Sequence, residues 1–370
     1  MEFSVKKFDL FAELNLLQGV VERKTTIPIL GNVLCEASDN KITLTATDLE
    51  LSIRTVCEAK VKKEGAGTIP AKKLLELVRL LPDGEIRFKL LENHWVQILA
   101  DRKTYKMVGM AKDNFPAIPA FPHPVATIPA NILSTLIART AFAISNEESR
   151  YTLNGALLIL KPDSVAMVAT DGHRLALAET DHKFDGLARE VRPLVPKKAL
   201  VEVQRLASEA GDDTEIEFAL DESHLFFRAG ERLLISRMLT GQFPNYEAVL
   251  PRENNKKIQI ERGEFNDAVR RVAQLADTRS HAVKLAVSTE GVEISASSPE
   301  YGEAKETLEK EYTGDPLAIG FNAQYMIDFL GAAPEGPVSL ELKDEQSAGQ
   351  MRPMADEPYR YRYVIMPMRI

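Results

Sequence analysis

Cysteine is scarce in this chain. Its 370 residues hold two, Cys35 and Cys57, each inside a strand-like run and without CxxC spacing, which excludes a disulfide framework and points to two buried thiols in a reducing compartment. Long apolar runs are missing as well. No stretch reaches bilayer length, and Met1-Glu2-Phe3-Ser4-Val5 lacks the charged and apolar regions of a signal peptide, so a cytoplasmic protein with no membrane partner is expected. The six histidines are scattered, without HExxH or Cys/His spacing, which leaves no expectation of a metal. Glu64-Gly65-Ala66-Gly67-Thr68 comes nearest to a phosphate loop but runs into Ile69-Pro70; it fits no nucleotide fingerprint, no cofactor is expected, and the stretch reads as a turn. Basic residues are in deficit, 46 Lys and Arg against 54 Asp and Glu for a formal charge of -8. That balance argues against a protein that grips nucleic acid with its whole surface.

What is present is a repeat. The composition, 45% hydrophobic and 27% charged, can bury substantial cores in two or three domains. Ile69-Pro70-Ala71-Lys72-Lys73 recurs as Val195-Pro196-Lys197-Lys198-Ala199, and Phe321-Asn322-Ala323 opens a similar segment, giving a period of about 126 residues, the spacing of Pro70 and Pro196. Asn114-Phe115-Pro116 recurs as Gln242-Phe243-Pro244. A unit of that length is a domain. The linkers Phe121-Pro122-His123-Pro124 and Leu250-Pro251-Arg252-Glu253-Asn254-Asn255 place the domains at 1–124, 125–251 and 252–370.

Each copy opens with apolar residues at helical spacing: Phe11, Leu14, Leu17 and Val21; Ile132, Leu133, Leu136 and Ile137; Phe265, Ala268, Val269, Val272 and Leu275. Short alternating strands follow, such as Lys41–Thr47, Val165–Thr170 and Val292–Ser297. A second helix, carrying Leu74, Leu77, Val78 and Leu81 in the first copy, precedes three closing strands, Glu85–Leu91, His94–Leu99 and Lys103–Met110. The expected fold class is α+β: three repeated domains, each with two helices packed on antiparallel sheets.

Ala169-Thr170-Asp171-Gly172-His173-Arg174-Leu175-Ala176 sets an acid, a glycine, a histidine and an arginine inside apolar sequence. Asp171 orienting His173 as a general base is one reading. The other is a tight turn or binding edge, because Asp-Gly between apolar runs is a hairpin signal. The turn is favoured: the first copy keeps Thr47-Asp48 without the histidine, and no GxSxG elbow occurs. Basic residues gather at or near the helices, Lys72, Lys73 and Arg79, Lys197, Lys198 and Arg205, Arg270 and Arg271. With Glu13, Glu76, Glu202 and Glu264 on the same helices, solvated helix faces account for them equally well.

Together with Phe243-Pro244-Asn245-Tyr246, Arg150-Tyr151-Thr152-Leu153-Asn154-Gly155 and the terminal Tyr363-Val364-Ile365-Met366-Pro367-Met368-Arg369-Ile370, these motifs resemble the bacterial replicative sliding clamp family, the beta subunit of DNA polymerase III holoenzyme. The resemblance runs from end to end. It implies a non-enzymatic head-to-tail homodimeric ring, helices lining a hole that encircles double-stranded DNA without reading its sequence. Lys24, Lys73, Arg150, Tyr151, Lys197 and Lys198 are then the DNA contacts, and Arg102, Tyr105, Met107, Gln274 and Leu275 the dimer interface. It further implies that the replicative polymerase, the clamp loader and repair polymerases bind by short linear motifs in an apolar cleft between the second and third domains. That cleft would comprise Leu153, Thr170, Gly172, His173, Arg174, Leu175, Pro244, Val249, Asn322, Tyr325, Val364, Met366, Pro367, Met368 and Arg369. Aliphatic and Met side chains suit an adaptable peptide floor. Ala248 and Ser280 depart from the family, which commonly carries a basic residue and a bulky apolar one there, so a more open rim and altered peptide preference are expected. Thr152 and Glu147 depart near the DNA patch, and Gln350–Pro358 matches no assigned role.

Overall fold

The computed structural model describes residues 1–21 and 26–369. They form two compact units, Met1–Leu133 with Val201–Met238, and Ser134–Leu200 with Leu239–Ile370. The first repeat runs β1 (Glu2–Lys6), α1 (Lys7–Leu17), β2 (Asn32–Ser38), β3 (Lys41–Thr47), β4 (Leu51–Glu58), β5 (Lys60–Lys63), β6 (Gly65–Pro70), α2 (Ala71–Leu80), β7 (Glu85–Leu90), β8 (Trp95–Ala100) and β9 (Lys103–Val108). The second runs β10 (Ala126–Pro129), α3 (Ala130–Thr140), β11 (Gly155–Lys161), β12 (Ser164–Thr170), β13 (Arg174–Asp181), β14 (Leu194–Pro196), α4 (Lys197–Ala210), β15 (Glu215–Leu220), β16 (His224–Ala229) and β17 (Arg232–Arg237). The third runs β18 (Lys256–Glu261), α5 (Arg262–Ala273), β19 (Ala282–Ser288), β20 (Gly291–Ser298), β21 (Gly302–Leu308), β22 (Leu317–Asn322), α6 (Ala323–Ala332), β23 (Pro337–Leu342), β24 (Gly349–Pro353) and β25 (Tyr359–Ile365). Two helices and antiparallel strands recur in every repeat, the α+β class expected from the periodicity.

Strand pairing does not respect the repeats. The first unit holds a five-stranded sheet, β5-β1-β7-β8-β9, and an eight-stranded sheet, β10-β15-β16-β17-β4-β3-β2-β6, in which the last strand of repeat two joins β4 of repeat one. The second unit holds β14-β11-β12-β13-β25-β24-β23-β18 and a four-stranded β21-β20-β19-β22. Here the last strand of repeat three joins β13 of repeat two, with Arg174 opposite Ile365 and Thr180 opposite Tyr359. The same joint is therefore made twice, closing strand against the strand that follows the Thr-Asp loop. It leaves β9 and β21 at sheet edges.

Helices form where apolar spacing allows one buried stripe. Leu14 and Leu17 of α1 are fully buried with Leu10, each contributing about 2 kcal/mol by burial; Phe11 is only half-buried and Val21 lies beyond the end of α1, so the buried stripe includes Leu10 in place of Phe11 and is shorter than expected. Pro70 sits at the N-cap of α2 as the last residue of β6, where a missing N–H costs no helical bond. Leu81 is likewise the C-cap of α2 and not part of the helix.

The Gly-rich stretch is a correction. Gly65–Pro70 is a strand paired with β2 from Asn32 opposite Pro70 to Ala37 opposite Gly65. Its glycines serve close packing: a Cβ on Gly67 would stand 3.1 Å from Leu90 Cδ1, the usual meaning of glycine inside a strand.

The unassigned Gln350–Pro358 stretch has a structural role. It supplies β24 and then Glu357, whose carboxylate accepts from both terminal nitrogens of the buried Arg139 on α3 at 2.8 and 2.6 Å. The Arg139 guanidinium also lies 4.7 Å from the Tyr359 ring centroid. A buried cation needs a carboxylate and a flat partner of this kind to offset its desolvation.

Candidate functional site

The Thr170–Arg174 loop joins β12 to β13 and is built by its own polar side chains. Thr170 Oγ1 donates to the Arg174 carbonyl at 2.6 Å and accepts from Gly172 N at 3.1 Å, while Asp171 Oδ1 accepts from the amides of His173 and Arg174. Gly172 takes φ +91°, a conformation that glycine enters without steric cost. Repeat one closes its loop identically. Thr47 Oγ1 donates to Leu51 O and accepts from Leu49 N, and Asp48 Oδ1 accepts from Glu50 and Leu51. Leu49, at φ +78°, takes the place of the glycine. The Thr-Asp pair thus serves loop closure in both repeats. Asp171 is saturated by amides and by Arg174 Nε at 3.0 Å; among the described residues no hydrogen bond joins it to the His173 ring, and His173 is exposed. The general-base reading has no geometry behind it.

Arg174 is the centre of the site. Beyond Asp171, its guanidinium donates to Asp328 on α6 at 2.5 Å and to the Phe142 carbonyl at 2.7 Å, and lies 4.3 Å from the Tyr325 ring centroid. Burial pulls its pKa down, but the coupling to Tyr363, Asp328 and Asp171 outweighs that and holds it above the ordinary arginine value. Burial also raises the Tyr363 hydroxyl, which donates to the Tyr325 carbonyl at 2.8 Å.

Beside the loop lies a cavity of about 110 Å³ lined by Leu153, Thr170, Gly172, Arg174, Leu175, Pro244, Tyr246, Val249, Val364 and Met366. Its floor belongs to a buried cluster that includes Leu157, Val168, Leu177, Phe243 and Tyr246. Val249 and Met366, 44% and 41% exposed, stand at its mouth. Apolar walls with a few fixed polar groups suit an apolar peptide side chain and offer no reacting group.

Other candidates lie elsewhere. His173 contributes its carbonyl, which accepts from Met366 N at 2.9 Å. Asn322 caps α6, accepting from Gln324 N and Tyr325 N, and Tyr325 sits beneath Arg174 without lining the cavity. Pro367, Met368 and Arg369 line a separate cavity of about 790 Å³ with Lys284, Ile319, Gly320 and Gln346, because Met368 N donates to Gly320 O and lays the tail along the free edge of β22. Ser280 is turned to Asp277, from which it accepts no bond and to which its amide and hydroxyl donate. Tyr246 was legible as part of the Phe-Pro-Asn-Tyr motif but not as a wall, since its ring reaches the cavity through a 3₁₀ turn at Tyr246–Ala248.

The basic candidates are spread out. Lys73 projects from α2 and pairs with Glu76 at 2.7 Å, and Lys197 donates to Asn146 at 2.8 Å. Lys198 is exposed at the start of α4, and Tyr151 is 51% exposed. Arg150 is engaged, donating to the Asp171 carbonyl and pairing with Glu147 at 2.8 Å. Lys24 lies outside the described residues. Arg102 precedes β9, Tyr105 and Met107 share its half-buried face, and Gln274 and Leu275 follow α5.

Three repeats of sheets and paired helices, with an apolar cleft braced by Arg174, are the features of a protein that binds through apolar side chains. Three family models match along the chain: the N-terminal, central and C-terminal domains of the DNA polymerase III beta subunit, at residues 1–119, 127–245 and 247–369. The chain belongs to the DNA polymerase III beta subunit family, and as a member it is a non-enzymatic processivity clamp. It is 34% identical over 373 residues to the beta sliding clamp of Pseudomonas aeruginosa, with 100% of each chain covered, and 32% identical to that of Chlamydia pneumoniae, covering 100% of this chain and 99% of the other. The crystal structure of DNA polymerase III subunit beta from Pseudomonas aeruginosa superposes with a TM-score of 0.94 at 33% identity over the whole of both chains.

Proposed function

We propose that two copies of this chain close head to tail into a ring around duplex DNA, in the cytoplasm, and that its repeats divide near residues 124 and 251. The observation that carries this reading is the repeated sheet joint. β17 on β4 and β25 on β13 pair the closing strand of one repeat with the strand after the Thr-Asp loop of the preceding one, while β9 and β21, the equivalent strands, lie at edges. An unpaired edge seeks a partner, and β9 of one protomer against β21 of the other satisfies both by the joint already used twice. Gln274 and Leu275 follow Arg271, which pairs with Glu306 on β21 at 2.5 Å, so that region accompanies the same edge.

The ring is held on DNA by topology, with Lys24, Lys73, Arg150, Tyr151, Lys197 and Lys198 supplying a shallow lining that does not oppose sliding. The replicative polymerase, the clamp loader and repair polymerases bind by short motifs that seat an apolar residue in the Leu153–Met366 cavity. The remaining candidates His173, Asn322, Tyr325, Pro367, Met368 and Arg369 contact or brace the rest of the peptide. The test loads the protein on nicked circular and on linear DNA of equal sequence. Retention on circles and loss from linear ends are expected; equal retention on both refutes encirclement.

A further inference from the structure

The outer face of the five-stranded sheet is unlike the rest of a chain whose formal charge is -8. Phe3, Val5, Ile86, Phe88, Val96 and Ile98 are buried on its inner side. On the other side, register places Lys89 opposite Gln97 and Gln97 opposite Lys106, with Arg87 opposite Leu99 and Ser4. Lys60 and Lys62 at the β5 edge are paired with Glu85 at 2.7 Å and Glu2 at 3.2 Å. Arg87, Lys89 and Lys106 are exposed; Glu2 lies opposite Lys89 but pairs with Lys62, and among the described residues none of the three basic side chains is itself in an ion pair, which leaves the face with more basic than acidic groups.

Trp95, the one tryptophan of the chain, stands at the end of this face 41% exposed. It lines an open cavity of about 630 Å³ with Lys89, Leu90, Leu91, Glu92 and Lys106. An exposed indole flanked by two amines that are not drawn into ion pairs presents a flat apolar surface and positive charge at once. That combination fits a ligand with stacked planes on an anionic backbone. A lipid surface asks for a broad apolar band, whereas the apolar residues here, Val108 opposite Trp95 and Leu99 further along, are separated by Gln97 and interleaved with Ser4, Arg87, Lys89 and Lys106. An acidic peptide matches the charge and leaves the indole unused.

We propose that this face binds single-stranded nucleic acid, a base stacking on Trp95 while Arg87, Lys89 and Lys106 hold the backbone phosphates. These residues lie on strands, whereas Lys73 projects from α2; a duplex can meet the three basic side chains but cannot stack a base on Trp95, because its bases are already stacked.

Trp95 is its own reporter. Titrating the full-length protein with oligothymidylate should quench its fluorescence saturably, and increasingly weakly as salt rises. The double variant K89A/K106A should lower the slope of log affinity against log salt by about 1.4, two single-strand phosphate contacts. W95A should weaken binding of a labelled strand about tenfold or more by anisotropy, as loss of one stacked base predicts. Absence of quenching, an unchanged slope in K89A/K106A, or equal quenching by duplex, polyglutamate or anionic vesicles overturns the proposal.

Discussion

Arg174 on β13 and Asp328 on α6 meet at 2.5 Å, and that contact fixes the cleft wall to a helix from another repeat. The arginine side chain is 9% exposed and also serves Asp171 and the Phe142 carbonyl. Arg174→Ala removes the one cation shared by Asp171, Asp328 and the Phe142 carbonyl, leaving Asp171 only its two amides and Asp328 only Gln324, so it should destabilise the second unit by about 3 kcal/mol in denaturant titration. Arg174→Lys should recover little, because one ammonium cannot replace a planar fork bound at three points. Full stability in both variants would show that the network is incidental.

Deleting Met366–Ile370 should abolish most client-peptide affinity, a loss of roughly 2–4 kcal/mol if the wall holds hot-spot contacts. The dimer and its retention on circular DNA should survive. Met366→Ala alone should reproduce much of the loss, since Pro367, Met368 and Arg369 line the neighbouring cavity. A fluorescent client peptide titrated into each ring decides it, and undiminished affinity removes the tail from the site.

Met107→Asp places a charge on the half-buried face of the free edge strand β9. It should shift the protein from dimer to monomer by light scattering, as should Leu275→Asp. Dimer mass in both variants would refute the assigned interface.

Lys73→Ala, Lys197→Ala and Lys198→Ala should each weaken direct duplex binding slightly and lower its salt slope by about 0.9, one phosphate contact apiece. Should any single change eliminate binding, the shallow-lining account fails.

Cys35 and Cys57 are buried free thiols. Burial raises both, and Cys57 is pushed up to about 12 from an ordinary 9.0. The folded state therefore retains thiol protons that the unfolded chain releases, so the thiols' contribution is intact below about pH 9 and declines as pH rises towards 12. The decline is about 1.4 kcal/mol per pH unit for each thiol. Tyr361 and Tyr363, also raised by burial, act in the same direction, so the check is a comparison with Cys35→Ala/Cys57→Ala. A flatter alkaline loss is expected in that variant, and native thiols should resist alkylation at pH 8.

Local chemistry was readable from the sequence: the 126-residue repeat, the helix stripes, the Asp-Gly hairpin and the family resemblance all rest on spacing and residue type. Glycine spacing alone misled at Gly65–Pro70, because the approach of Leu90 that requires Gly67 is a contact between distant segments. The same limit hid Tyr246 in the cavity and Glu357 against Arg139. Periodicity shows which face of a strand is apolar but is silent on which strand lies beside it. Pairing across repeats is chosen by the free edges and packed faces of the assembled units. Tertiary structure alone therefore decided that β17 joins β4, that β25 joins β13, and that Arg174 of one repeat is held by Asp328 of the next.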